Sequence, residues 1–94
     1  MKKLAREIGE RVGAILSATS EGVVNFLGYG TYDGEHVPPP DVCPDRHELK
    51  ITNPRITLDS GETVWGMQCW WGSEEGIRKQ IELYDIVNVV EVVS

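Results

Sequence analysis

Cysteine is scarce in this 94-residue chain: there are two, Cys43 and Cys69, too few for a disulfide framework. Long apolar runs are missing as well. The longest, from Ile86 to Val93, is interrupted by Asn88 and Glu91 and falls far short of the ~20 residues of a membrane span. Met1-Lys2-Lys3-Leu4 runs directly into a charged segment, where a secretory leader would have an apolar core. A soluble, cytoplasmic protein with no membrane partner is expected. An excess of positive charge is also lacking, since 15 Asp+Glu outweigh 9 Lys+Arg for a formal charge of −6. That balance speaks against a general binder of nucleic-acid polymers, which must release counterions from the backbone. A small anion is a different matter, because its pocket needs only a few well-placed cations.

Internal repeats and low-complexity tracts are absent. So are a Walker loop, a dinucleotide glycine fingerprint, HExxH and GxSxG. For a metal, only Cys43 and His47 form a close pair, with His36 upstream, whereas a structural zinc site commonly takes two such pairs. No metal, no cofactor and no catalytic residue is therefore expected. What remains is an ordinary globular composition, 40% hydrophobic and 26% charged. The length suits one domain over 1–94, which buries about 60–65% of its unfolded surface, so association of copies is a natural supplement to a marginal core.

The apolar pattern along the chain predicts an α+β fold with a mostly antiparallel sheet and one main helix, in the order α-β-β-loop-β-β-α-β. Leu4, Ala5 and Ile8 mark a short helix over Lys2–Gly9. Arg11–Ala18 and Gly22–Tyr32 form a hairpin through the turn Thr19–Gly22. Strict alternation would put Phe26, Gly28, Gly30 and Tyr32 on one face and Tyr29 on the other. Paired glycines of this kind mark a bulge or a close approach of another backbone. Residues 33–54 hold all five prolines and both histidines. They read as a loop with one short strand, Leu49-Lys50-Ile51, and a loop of that length is usually functional or disordered.

A second hairpin follows, from Arg55–Leu58 through Asp59-Ser60-Gly61-Glu62 into a single return strand, Thr63–Trp71. Ser73 is a suitable N-cap for a helix whose Ile77 and Ile81 form an apolar stripe. Ile86–Val93 is apolar on both faces. It is expected to be a strand covered on both sides, by a helix and by another protomer or layer.

The tryptophans carry the strongest functional signal. Trp70 and Trp71 are adjacent on a strand, so they point to opposite faces, and one can anchor the core while the other meets a ligand or partner. Gly72 and Ser73 then lead to a helix start, whose free N–H groups suit a phosphate, although Glu74 and Glu75 oppose one. Arg55 and Arg78 are the cations best placed to grip an anion in a forked way, with surface ion pairs as the plain alternative. Tyr32, at a strand end against the loop, is the remaining aromatic candidate. The candidate ligand-binding set is thus Tyr32, Arg55, Trp70, Trp71, Ser73 and Arg78.

Phe26-Leu27-Gly28-Tyr29-Gly30-Thr31-Tyr32-Asp33-Gly34, with Val37-Pro38 after it, resembles the glycine–tyrosine signature of the first family of Thoeris anti-defence proteins of phages. Asn53–Gly61, Val64-Trp65-Gly66, Cys69-Trp70-Trp71-Gly72 and Glu74-Glu75 extend the resemblance over roughly residues 11–80. The resemblance implies a non-enzymatic sponge in the host bacterial cell. It would sequester cyclic ADP-ribose isomers uncleaved, as a homo-oligomer with pockets between protomers, some members also holding cyclic oligonucleotides. Two other readings stay open. One is an inhibitor that binds a host defence protein through its acidic surface. The other is a small nucleotide hydrolase using His36, Asp41 and His47.

Overall fold

Alternating apolar residues and a four-residue turn produce the first hairpin, β1 (Arg11–Ala18) and β2 (Val23–His36), in the computed structural model, which describes residues 7–92. The expected helix over Lys2–Gly9 has residues 2–6 outside that range, and Gly9 lies in a turn. The rest of the chain comprises α1 (Pro44–Leu49), β3 (Asn53–Leu58), β4 (Thr63–Trp65), a 3₁₀ turn (Gly66–Gln68), β5 (Trp70–Ser73), α2 (Glu74–Ile81) and β6 (Ile86–Val89). This is an α+β fold with a mostly antiparallel six-stranded sheet, ordered β4-β3-β2-β1-β5, with β6 added in parallel to the first residues of β2. Among the described residues no helix is long and apolar enough to cross a membrane.

Several local expectations are corrected. Residues 33–54 are not one loop: Asp33–His36 continue β2, with Glu35 and His36 paired to Pro54 and Asn53, and Pro44–Leu49 form a short helix. Leu49–Ile51 is no strand, since Lys50 ends that helix in the left-handed region at φ 56°. The single return strand Thr63–Trp71 is broken by the 3₁₀ turn, so β4 pairs with β3 while β5 pairs with β1 on the opposite edge. β6 stops at Val89, and within this chain all four of its residues are exposed.

That break shapes the molecule. Five flat strands would hold their outer members about 19 Å apart. The Trp65–Trp70 connection, mostly 3₁₀, reaches only about 13 Å. The sheet must therefore curl into an incomplete barrel. Its inner face carries Val12, Ala14, Leu27, Tyr32, Ile56, Leu58 and Val64, with Cys69, Trp71, Val90 and Val92 packed against them. Its outer face carries Ile15, Val24 and Phe26 under Ile77 of α2, joined by Tyr29, Ile81 and Tyr84. Each side chain of this kind stabilises by about 1.5–3 kcal/mol when fully buried.

The register of β2 slips at Leu27, which stands between the partners of Ala14 and Ile15. Gly28 accommodates the bulge at φ 136°, a conformation a side chain would strain. The slip overturns the expected alternation. Phe26 and Tyr29 share the outer face, their rings edge-on at 4.9 Å, and Tyr32 lies on the inner face. Gly30 reflects close approach instead, because a Cβ there would overlap the Thr57 carbonyl oxygen.

Candidate functional site

The curled sheet divides the six candidate residues among three places. Tyr32 and Trp71 meet on the inner side, where their rings stack at 5.5 Å with 12° between planes. Tyr32 is buried, and its hydroxyl donates to Glu35 Oε2 at 3.3 Å. Burial first, and the Glu35 charge second, push the phenol above its ordinary pKa. Trp71 is thus the tryptophan that anchors the core, and Trp70 is the exposed one at 51%.

The helix start is the second place. Ser73 Oγ accepts the N–H of Gly76 at 3.0 Å, the N-cap its sequence position predicts. Arg78 does not turn toward that corner's open side. It folds back on Glu74 at 3.3 Å and Glu75 at 3.1 Å, with its guanidinium 6.0 Å from the Tyr29 ring. Arg11, which the sequence did not single out, joins the same acidic group. It binds both oxygens of Asp59 at 2.7 and 2.8 Å and Glu74 at 3.0 Å. The hydrogen bond from Arg11 holds the Asp59 carboxyl below the usual carboxylate range, slightly opposed by desolvation. These ion pairs occupy the helix start with carboxylates, a poor setting for phosphate.

The third place is a cleft of about 600 Å³ on the outer face, between the β3–β4 hairpin and the segment that follows β2. Val37, Pro39 and Val42 line one wall, His47 of α1 closes the end, and Arg55 and Trp65 form the floor. Arg55 and Trp65 are register partners across β3 and β4, so their side chains leave the sheet side by side. Fully buried Pro38 pins that segment to the sheet as a strap. The His47 Nδ1 donates to the Pro38 carbonyl at 3.1 Å. A carbonyl only accepts, so Nε2 is the nitrogen left to face a ligand. Arg55 is held by Asp33: its Nε and Nη2 both reach Oδ2 at 2.7 Å, and the Thr57 hydroxyl donates to that same oxygen at 3.4 Å. One oxygen therefore takes two guanidinium nitrogens, and Nη1 is not among them.

Arg55 lines this cleft, and its aromatic companion there is Trp65 and not Trp70 or Trp71. Strand alternation over 63–71 could not identify Trp65, because that reading hid the 3₁₀ break. The available signal was the length of the proline-rich segment with His47 inside it. Cys43 and His36 do not join His47 in a ligand set, and among the described residues no three His, Cys, Asp or Glu side chains group to hold a metal ion. His36 instead bonds through Nε2 to the Asp33 carbonyl at 2.9 Å. Cys69 packs against the core beside the Trp65 carbonyl, where burial pushes its thiol up to about 11. No protein-family model, no curated protein and no solved structure matches the chain.

Proposed function

We propose that this chain is a phage anti-defence sponge, which captures a small cyclic nucleotide of the cyclic ADP-ribose type and holds it without cleaving it. The observation that supports this reading is the strap cleft, where an indole, a guanidinium and an imidazole converge among aliphatic side chains. Its volume of about 600 Å³ lies within the range of pockets that enclose drug-sized ligands. Trp65 is only 6% exposed, so its indole gives the cleft an apolar floor and not a free stacking face, while guanidinium offers donors for a pyrophosphate. Capture without turnover asks for tight enclosure and for no nucleophile or tuned general base.

The cleft is open on one side, so a ligand bound by one copy would keep a face in water. A second copy over the mouth would complete the enclosure, in keeping with a homo-oligomer whose pockets lie between protomers. A signal present at micromolar levels must be held with about −10 kcal/mol or better.

Incubation with a cyclic ADP-ribose isomer, followed by heating, tests the reading. Depletion of the free nucleotide and its intact release on denaturation are expected. Recovery of an altered nucleotide would identify an enzyme, and unchanged free nucleotide would end the sponge reading altogether.

A further inference from the structure

The β1–β2 ladder is interrupted twice, on either side of the Ile15–Phe26 pair. Leu27 is the extra residue of β2, and Leu16 is the extra residue of β1, between the partners Ile15 and Ser17. Bulges commonly re-aim side chains next to functional sites. Here both extra leucines line a cavity of about 230 Å³, completed by Val64, Gln68 and Val92. It lies at the seam of the incomplete barrel, where the pairing of β1 with β5 ends at Ile15.

We propose that this seam cavity is a binding site for a small uncharged molecule, about one ring in size, that carries a hydrogen-bond acceptor. Three features support it. An apolar cavity of ~150 Å³ is already enough to hold benzene in water, so the size is sufficient. Next, the walls are apolar, Leu27 and Val64 being buried, while Leu16 at 44% exposure forms the rim. No charged side chain lines the cavity among the described residues, so an ion would lose its hydration without a partner. Finally, Gln68 supplies direction. Its Oε1 accepts the Trp65 N–H at 2.9 Å, which leaves the amide NH₂ as the group able to serve a ligand, and it can only donate. This site is separate from the strap cleft and does not rest on the sponge reading.

Methyl NMR of the full chain tests the proposal, with acetophenone and its acceptor-free analogue ethylbenzene as probes and benzoate as the charged control. Both neutral probes should shift the methyls of Leu16, Leu27, Val64 and Val92. Acetophenone should bind about five-fold more tightly, and benzoate should leave these methyls in place. Gln68→Glu keeps an acceptor for Trp65 and removes the donor, so it should abolish the acetophenone advantage. Leu16→Trp, at an exposed rim that tolerates bulk, should block both probes. Unmoved methyls in the wild type, shifts that persist in Leu16→Trp, or equal binding of the two neutral probes to the wild type would each overturn the proposal.

Discussion

The rings of Tyr32 and Trp71 stack nearly parallel, 12° apart at 5.5 Å, and tie the middle of β2 to β5, the edge strand beyond β1. Gly66 lies against the same indole, where an added Cβ would come within 2.8 Å of Trp71 Nε1. One aromatic pair thus links β2, β5 and the 3₁₀ turn. Trp70, its neighbour in sequence, has half its surface in water.

Trp71→Ala should therefore cost about 2–4 kcal/mol of folding stability, through lost burial and lost stacking. Trp70→Ala should change stability by less than about 1 kcal/mol. Urea denaturation of the two variants beside the wild type measures the contrast. Equal losses would show that the two tryptophans are not divided between core and surface.

Arg55 and Asp33 should act in opposite directions on anion capture. Arg55→Ala removes the cleft's guanidinium and should weaken retention of a cyclic ADP-ribose isomer at least about ten-fold. Its effect on stability should stay at or below about 1 kcal/mol, as expected for an ion pair about one third exposed. Asp33→Asn removes the charge that competes for that guanidinium and should strengthen retention. Isothermal titration of both variants reads the two signs, and a weakened Asp33→Asn variant would count against Arg55 as the anion-holding group.

The Arg11–Asp59 pair makes a prediction about acid. Its hydrogen bond lowers the folded-state pKa of Asp59 below the unfolded value. Its contribution is therefore present above the ordinary aspartate pKa of about 3.9 and is lost as pH falls through the lower folded value. Arg11 also faces Glu74, which Arg78 shares, so that carboxylate keeps a cation when Arg11 is removed. Arg11→Gln should flatten the loss of stability below pH 4 that the wild type shows. Thermal melts of both proteins at a series of acidic pH values provide the comparison, and parallel profiles would contradict it.

Cys69 should be a slow thiol. With its pKa moved from 9.0 to about 11 by burial, its thiolate at pH 8 is reduced about a hundred-fold. In a Cys43→Ser background, reaction with a disulfide reagent should be far slower in the folded protein than in denaturant. Matching rates would mean that the thiol is not shielded by the core.

Much of this architecture is legible locally. The turn at Asp59–Glu62 brings Gly61 to φ 95°, and Ser73 caps α2 with Ile77 buried beneath it, because turns and caps are decided by residues within a few positions of each other. The opposite facing of Trp70 and Trp71 follows from strand geometry in the same way. The bulge at Leu27 was not legible beyond the hint of its glycine, and one extra residue there put Tyr29 on the face of Phe26 and Tyr32 on the opposite one.

The candidate site divides along the same line. Net acidity, the short chain and the identity of Arg55 as a cation beside a proline-rich segment belong to the sequence alone. The diversion of Arg78 to Glu74 and Glu75 is local, by i,i+4 and i,i+3 spacing on α2, and the pairing of Arg55 with Trp65 follows from the register of the β3–β4 hairpin, whereas the burial of Tyr32 under Trp71 was decided by how the sheet curls. The physical reason is range. Propensities, caps and turn chemistry act over a few residues, whereas a cleft joins residues from 37 to 65 and requires strand register and the path of the segment after β2 to be settled first.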